Sequence, residues 1–161
     1  MADKEKQNNE KENGKLIAEN RKARYEYFIE DTIEAGIMLV GTEVKSLRVG
    51  RATINDAHAG EMKGELYIFN LNIPVYEAAS RFNHEPKRPR KLLLHRKQME
   101  KLLGQVKMKG FTLVPLKMYF TGRGFVKVLL GLGKGKKEYE KRETIKKRDW
   151  EKHQRSLLKN K

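Results

Sequence analysis

The last 28 residues of the chain, Lys134 to Lys161, limit what the rest can fold into, because they cannot contribute to a hydrophobic core. They hold 12 Lys or Arg against five Asp or Glu, which leaves them seven of the chain's 15 excess positive charges. Their large apolar side chains are too sparse for the three or four per two turns that a packed helix needs. The sequence therefore predicts a basic tail over residues 134–161 and a folded domain before it.

Aromatic side chains in this tail favour RNA as its partner. On a helix at about 100° per residue, Tyr139, Trp150 and Leu157 fall near one face, with Lys and Arg all round. Such a segment is predicted to be disordered alone and to become helical against a polyanion, because phosphate contacts offset the ordering cost. The alternative is a solvated tail that only aids solubility. Tyr139 and Trp150 argue against it, since their rings offer flat surfaces for unpaired bases.

Composition indicates one domain with an anionic partner. A chain of 161 residues with 38% apolar content suits a domain of about 100 to 130 residues plus tails, and a pI near 9.9 points to nucleic acid. The absence of Cys fits a reducing cytoplasm. Residues 1–14 are predicted to be a disordered polar leader, since they lack the apolar run of a signal peptide. No stretch approaches the length of a membrane span.

The folded part, residues 15–133, is rich in strand patterns. Tyr25 to Val40 shows the alternation of a strand. Thr42 to Val49 is predicted to be a short helix that Thr42 caps and that ends at Gly50. Thr53 to Ala59 and Glu65 to Asn72 flank the sequence GEMKG and are predicted to pair as a hairpin.

The second half repeats this organisation after a break. Residues 78–91, with two prolines and five Lys or Arg, are predicted to be an exposed basic loop. Apolar residues at i, i+3, i+4 and i+7 from Met99 predict an amphipathic helix over about Leu94 to Lys109, ending at Gly110. Phe111 to Phe120 and Phe125 to Gly131 flank TGRG as a second hairpin, in which Pro115 requires an edge or a bulge.

Five or six short antiparallel strands with two interspersed helices favour a mainly β fold. A small closed antiparallel barrel of the oligonucleotide-binding (OB) type removes the exposed strand edges and is the predicted architecture. The glycines of GLGKGKK do not match a phosphate-binding loop, because Lys137 stands where Ser or Thr is needed. They are predicted to let the chain leave the barrel flexibly.

No residue pattern predicts catalysis, a metal or a cofactor. The histidines His58, His84, His95 and His153 are scattered and are interpreted as surface or loop residues. Glu30 and Glu34 would share a strand face about 13 Å apart, too far to share one ion. These carboxylates could simply face solvent. Glu34 could instead accept a hydrogen bond from a base amino group or a ribose hydroxyl.

Three motifs at ordered spacing resemble the small protein B family of SsrA-binding proteins. They are ENRKARYEYFIEDTIEAGIMLVGTEVKSLRVG, RKLLLHRKQMEKL and GKGKKEYEKRETIKKRDW, and the resemblance covers about Lys15 to Leu158. It implies an OB barrel without enzymatic activity that binds the tRNA-like domain of transfer-messenger RNA. It also implies delivery of that RNA, with elongation factor Tu and GTP, to ribosomes stalled on truncated messages.

The resemblance implies specific RNA contacts. Asn20 could read a base edge, Glu34 accept from one, and Lys127 neutralise a phosphate; Leu93 is either an RNA contact or a core residue. The full set predicted to bind transfer-messenger RNA is Asn20, Arg21, Lys22, Arg24, Glu34, Lys45, Arg48, Lys91, Leu93, Lys127, Lys134, Lys136 and Lys137.

For the tail, the resemblance implies entry into the messenger channel at the decoding centre, against 16S rRNA, when a truncated message leaves that channel empty. The residues predicted to act there are Tyr139, Glu140, Lys141, Arg142, Ile145, Lys146, Lys147, Arg148, Trp150, Leu157 and Leu158. Many relatives have His then Asp where this chain has Tyr139 then Glu140. Two other classes stay open: a ribosome-associated structural RNA-binding protein, and a metal-dependent nuclease.

Overall fold

The computed structural model describes residues 13–50, 52–79 and 82–159, which contain seven strands and four helices. In chain order the elements are β1 (Asn13–Glu19), α1 (Ala23–Glu26), β2 (Tyr27–Ile37), α2 (Gly41–Arg48), β3 (His58–Met62), β4 (Glu65–Phe69), β5 (Arg90–Leu93), α3 (Arg96–Lys109), β6 (Thr112–Thr121), β7 (Val126–Gly135) and α4 (Glu138–Lys159).

The strands form a ring of antiparallel pairings, as expected for the predicted OB-type architecture. The order is β1-β6-β3-β4-β5-β2-β7, and β7 also pairs with β6, which closes a ring from β6 to β7 and leaves β1 paired to β6 outside it. Closure is uneven. The long strands β2, β7 and β6 pair along most of their length, whereas β3 meets β6 through the single pair Ala59 and Leu113.

The core fills the inside of this ring. Alternate residues of the strands point inward, so that Leu66, Ile68, Leu92, Met118 and Leu130 are almost completely buried. Helix α3 covers part of this core with Leu102, which is buried, and with Leu103 and Val106, which are partly buried. The apolar spacing that predicted α3 therefore corresponds to the face that packs.

Three turns confirm predictions made from glycine. The first hairpin turns at Lys63 and Gly64, with φ of 54° and 74°, the left-handed pair that a two-residue turn requires. Gly110 ends α3 at φ 67°, and Gly50 follows α2 at φ 86°. Strand β3 runs three residues into GEMKG beyond the predicted Ala59 and begins at His58 rather than at the predicted Thr53. Thr53 itself forms an isolated bridge to Asn72.

The prediction for the start of α2 was wrong in its cap. Thr42 lies inside the helix, and its hydroxyl is 2.9 Å from Nδ1 of His84. The helix instead begins after Val40, whose N–H donates to the Glu43 carboxylate at 2.9 Å. Glu43 can do this because it lies three residues into the segment, where a carboxylate reaches back to the unpaired N–H groups.

The N-terminal third differs from its predicted pattern in two ways. The strand predicted from Tyr25 begins at Tyr27, because residues 23–26 form the short helix α1 that buries Ala23. Strand β1 was not predicted and starts at Asn13, so the last two residues of the predicted leader belong to a strand. Residues 1–12 of that leader lie outside the described residues.

The prediction of an exposed loop over residues 78–91 was wrong at its C-terminal end. Arg90 starts β5 and is fully buried with Glu43, whose carboxylate accepts hydrogen bonds from both Arg88 and Arg90. Arg90 also donates to the carbonyl oxygen of Leu71 at 2.6 Å. His84 is buried too, with Nε2 2.7 Å from the carbonyl oxygen of Ile73.

The glycines of GLGKGKK do not form a flexible exit, which corrects a further prediction. Gly131, Gly133 and Gly135 continue β7 and pair with β2. A Cβ on Gly133 would lie 3.0 Å from the carbonyl oxygen of Phe28, and one on Gly131 would lie 3.0 Å from Leu116 Cδ1. Close packing rather than flexibility thus requires glycine at Gly131 and Gly133.

Pro115 lies at a bulge, as one of its two predicted placements required. The β6–β7 register shifts between Pro115 and Lys117, so the missing N–H of proline costs no regular ladder bond. Strand β6 is otherwise a central strand, with β7 on one side and β1 and β3 on the other.

The tail is a helix, α4, that leaves most of its large apolar side chains exposed. Tyr139, Ile145, Trp150, Leu157 and Leu158 are all more than two-fifths exposed. That agrees with the argument that this segment cannot form a core. None of the helices in the described part of the chain has the length and apolar character that a membrane crossing requires.

Candidate nucleic-acid interface

One outer face of the barrel carries a row of residues that crosses four strands. Leu93 on β5 pairs with Gly36 on β2, Gly36 pairs with Lys127 on β7, and Lys127 pairs with Tyr119 on β6. Directly paired residues point to the same side of an antiparallel sheet. Val128, the next residue along β7 after Lys127, is buried in the core, so this row faces outward.

The exposure of Leu93 excludes one of the two roles left open for it. Its side chain is 46% exposed, while the adjacent Leu92 is 2% exposed. Leu93 is therefore not a core residue. Beside it, a Cβ on Gly36 would lie 3.2 Å from Leu93 Cβ and 3.6 Å from Leu93 Cδ1, so the leucine side chain packs over the buried glycine.

A second row lies one pleat away and contains Glu34. Glu34 on β2 pairs with Leu129 on β7, which pairs with Lys117 on β6. The hydroxyl of Tyr119 donates a hydrogen bond to Oε2 of Glu34. Burial, and then this hydrogen bond to a carboxylate, raises the pKa of Tyr119 far above its usual range, so the phenol stays protonated and remains a donor.

An open groove of about 740 Å³ runs along these rows toward the N-terminal segment. Ile29, Leu116 and Leu129 supply apolar surface, and Arg21 and Arg24 supply positive charge. The lining holds three cations and four carboxylates. Apolar surface beside cations and carboxylate acceptors suits an unpaired nucleotide, which presents a flat base, a phosphate and hydrogen-bond donors. The remaining lining residues are Glu19, Asn20, Glu30, Asp31, Thr32, Glu34, Lys117 and Tyr119.

Asn20 lies at the base of this groove and is buried. Its Nδ2 donates to the carbonyl oxygen of Pro115 at 3.1 Å, and its backbone N–H donates to that of Leu116 at 2.8 Å. Its Oδ1 has no hydrogen-bond partner among the described residues. The amide thus ties the turn that carries Arg21 and Lys22 to the bulge of β6, which places those exposed cations at the rim.

Other predicted cations lie on separate elements. Lys45 and Arg48 are exposed on α2, and the Lys45 ammonium is 5.8 Å from the centre of the Tyr76 ring. Lys91, on β5 two residues before Leu93, is 3.8 Å from a carboxylate oxygen of Glu65. The structure therefore brings Glu34, Leu93 and Lys127 together on one face of the sheet. Lys45 and Arg48 lie on a separate element, helix α2.

The basic segment between barrel and tail is in contact with the barrel. Lys136 Nζ donates to the carbonyl oxygen of Arg24 and to Oγ1 of Thr144, both at 2.9 Å, and lies 4.7 Å from the centre of the Phe28 ring. Burial, followed by repulsion from Arg148, lowers the pKa of Lys136. Lys134 lies 5.1 Å from the Phe111 ring centre, and Lys137 is exposed.

Helix α4 rests on α1 through charge and aromatic contacts. The Tyr25 ring lies 6.0 Å from Lys141 Nζ and 5.7 Å from Arg148 Cζ, distances typical of cation–π contacts. The Glu140 carboxylate accepts the Lys137 N–H at 2.9 Å and so caps the first turn. Lys146 and Lys147 point to solvent with the apolar residues named above.

Sequence reasoning missed Tyr119 and Gly36 as parts of this face. Tyr119 lies in a strand whose other residues are mostly buried, so nothing in its local pattern marks it. Its partner Glu34 is 85 positions away. Within the described residues, no group of three or more His, Cys, Asp or Glu is placed to hold a metal ion.

Comparisons with known proteins agree with this picture. The family described as "SmpB protein" matches residues 17–160. An SsrA-binding protein of Rhodopseudomonas palustris (strain BisB5) is 60% identical over 144 residues, covering 89% of this chain and 92% of the relative. Identity is also 60%, with the same coverage, for an SsrA-binding protein of Nitrobacter hamburgensis.

A solved structure is also similar. The structure described as "tmRNA-SmpB: a journey to the center of the bacterial ribosome" superimposes with a TM-score of 0.65 at 50% sequence identity. The match covers 82% of this chain and 95% of that one. The likeness therefore extends to the sequence as well as to the fold.

Proposed function

The chain belongs to the SmpB protein family, and from this membership we propose that it binds the tRNA-like domain of transfer-messenger RNA and delivers that RNA to stalled ribosomes. The observation that carries the proposal is 60% identity with SsrA-binding proteins over 89% of the chain. The solved structure, named for transfer-messenger RNA, its protein and the ribosome, supports the same partners.

The barrel supplies the contact with transfer-messenger RNA. Glu34 accepts a hydrogen bond from a base or ribose, Lys127 neutralises a phosphate, and Leu93 packs on the RNA beside them. Their common outward face supports this assignment. Arg21 and Arg24 extend the contact along the groove, with the exposed Lys22 between them in sequence, and Asn20 acts by holding their turn against β6.

The tail supplies the contact with the ribosome. Helix α4 enters the messenger channel and meets 16S rRNA near the decoding centre, where Tyr139 stacks on a base. Exposed aromatic side chains on a basic helix support this role, because they have no packing function in the barrel. The protein works in the cytoplasm, in a delivery complex with elongation factor Tu and GTP. It acts by binding RNA, and its family is not a family of enzymes.

Sequencing the RNA that co-purifies with the full chain tests this function. Transfer-messenger RNA is expected to be enriched over ribosomal RNA in the RNA that stays bound to the protein after washes that remove ribosomes. Ribosomal RNA that co-purifies equally in cells lacking transfer-messenger RNA would instead favour a structural ribosomal protein. Cleavage of labelled RNA in magnesium would identify a nuclease.

A gel-shift titration with the isolated tRNA-like domain tests the face. Glu34→Ala is expected to weaken binding by about 1 to 3 kcal/mol, the value of a specific hydrogen bond at a base edge. Glu100→Ala removes a carboxylate from α3, where Glu100 forms an exposed pair with Arg96, and serves as the matched control. Equal binding by the two variants would contradict the role of Glu34.

A further inference from the structure

Tyr119 and Glu34 meet across an intervening strand. Tyr119 is on β6 and Glu34 on β2, and β7 lies between them and pairs with both. The Tyr119 phenol reaches over β7 between the positions of Lys127 and Leu129 and donates to Oε2 of Glu34. Only 4% of Tyr119 is exposed, whereas Glu34 is exposed.

We propose that Tyr119 is a positioning residue for RNA recognition: it holds one oxygen of Glu34 so that the other, Oε1, faces a hydrogen-bond donor of the RNA. This inference rests on the proposed function. A glutamate on an exposed strand has several free rotamers, and ordering it when RNA binds costs free energy. A donor that is already buried in the sheet removes much of that cost, because the carboxylate is oriented before the RNA arrives.

The arrangement also restricts what Glu34 can bind. The carboxylate repels phosphate, and Oε2 is already engaged by the phenol. Oε1 is left to accept from a donor of the RNA, which supplies base amino or imino groups and ribose 2′-hydroxyls. Lys127, directly opposite Tyr119 on β7, is placed to neutralise a phosphate near the same nucleotide.

The test is a double-mutant cycle in the full chain, with Tyr119→Phe, Glu34→Ala and the double variant titrated against the tRNA-like domain. Tyr119→Phe removes only the hydroxyl and is expected to weaken binding about fivefold to tenfold, because the released Glu34 side chain must then be ordered when the RNA binds. In the Glu34→Ala background the same change is expected to have no further effect. Tyr67→Phe removes a hydroxyl from β4 and is the matched control.

Modified RNA identifies the donor. Single 2′-deoxy substitutions remove one ribose hydroxyl each, and inosine in place of guanosine removes a base amino group. At the nucleotide that faces Glu34, one of these is expected to weaken binding by wild type and by Tyr67→Phe, but not by Glu34→Ala. The class of substitution that does so identifies the source of the donor.

Thermal unfolding shows whether Tyr119→Phe changes the stability of the fold. The double-mutant cycle shows whether its effect on RNA binding depends on Glu34. Equal losses from Tyr119→Phe in the wild-type and Glu34→Ala backgrounds would overturn the inference and leave Tyr119 a structural residue. Unchanged binding by Tyr119→Phe would overturn it as well. If the wild-type chain itself failed to bind the tRNA-like domain, the proposed function would fail first, and the role of Tyr119 would fail with it.

Discussion

The guanidinium of Arg90 donates a hydrogen bond to the carboxylate of Glu43, 47 positions earlier in the chain, and neither side chain is exposed. This pair joins β5 to α2. Arg88 and the N–H of Val40 complete the surroundings of the same carboxylate. The network thus connects the start of β5, and the residues just before it, to the first turn of α2.

Removing one partner of this pair is expected to be strongly destabilising. Arg90→Met leaves the Glu43 charge buried with fewer donors, and a broken buried pair costs about 3 to 5 kcal/mol. Arg96→Met, at an exposed pair on α3, is the matched control and is expected to change stability by less than about 0.5 kcal/mol. Chemical denaturation measures both. Similar midpoints for the two variants would contradict a stabilising role for the Glu43–Arg90 pair.

The same carboxylate predicts a dependence of stability on pH. Burial by itself raises the pKa of Glu43, but hydrogen bonds from Val40, Arg88 and Arg90 outweigh it and hold the pKa below its usual 4.5. A depressed native pKa contributes stability above pH 4.5 that is lost as pH falls through the native value. Glu43→Gln should therefore show a shallower acid decline in the free energy of unfolding than wild type. Parallel curves between pH 6 and pH 3 would exclude this contribution.

Two glycines of β7 should respond differently to the same substitution. Gly133→Ala places a Cβ 3.0 Å from the Phe28 carbonyl oxygen and from Ile29 Cδ1, and such overpacking costs about 1 to 3 kcal/mol. No atom lies within 4 Å of a Cβ built on Gly135, so Gly135→Ala is the control. Denaturation midpoints compare them. A flexible exit would predict that neither substitution matters.

Two adjacent lysines should differ in how they hold the tail. Lys136→Gln removes an ammonium that bonds both Arg24 and Thr144, while Lys137→Gln removes an exposed one. Amide hydrogen exchange over the first two turns of α4 is expected to accelerate several-fold in the first variant and to stay unchanged in the second. Equal exchange in both would show that Lys136 does not anchor the helix.

The tail is expected to be required for tagging of the stalled peptide rather than for delivery of transfer-messenger RNA to the ribosome. A chain ending at Lys137 keeps β7 intact, and it should bind transfer-messenger RNA and bring it to stalled ribosomes, yet support almost no tagging of the stalled peptide. Tyr139→Ala should reduce tagging several-fold, up to about tenfold, and Tyr139→His should retain most of it because a flat ring is preserved. Single-turnover peptidyl transfer on truncated messages measures this. A normal rate from the shortened chain would reduce the tail to an aid to solubility.

Local sequence patterns predicted those features of the fold that depend on the backbone preferences of single residues. The turn at Lys63 and Gly64, the end of α3 at Gly110 and the bulge at Pro115 each follow from the backbone preferences of one or two residues. The resemblance to a known family placed Glu34, Leu93 and Lys127, and the ring of strands brought them to one face. The burial of Arg90 could not be predicted, because its partner lies 47 positions away and its own neighbours are typical of an exposed loop.

Pairing in the sheet explains the remaining differences. The glycines of GLGKG resemble a flexible linker until β2 is known to lie against them, and only then does the missing Cβ have a reason. Tyr119 has the same origin: its hydroxyl acquires a role only when β2, β7 and β6 are side by side. Contacts of this kind depend on strand register, which single-sequence patterns do not carry.

Helix α4 begins only three positions after the last residue of β7, and Lys136 fastens that junction to the carbonyl oxygen of Arg24. Its 22 residues span about 33 Å at the usual helical rise. The barrel thereby fixes the point from which the helix projects, and each exposed side chain of the helix lies at a set distance from it. One residue inserted in the helix between Glu138 and Tyr139 would turn the exposed rings of Tyr139 and Trp150 by about 100° around the helix axis, and change their reach by only about 1.5 Å. The junction at Lys136 therefore fixes the direction in which these rings point more than the distance that they reach.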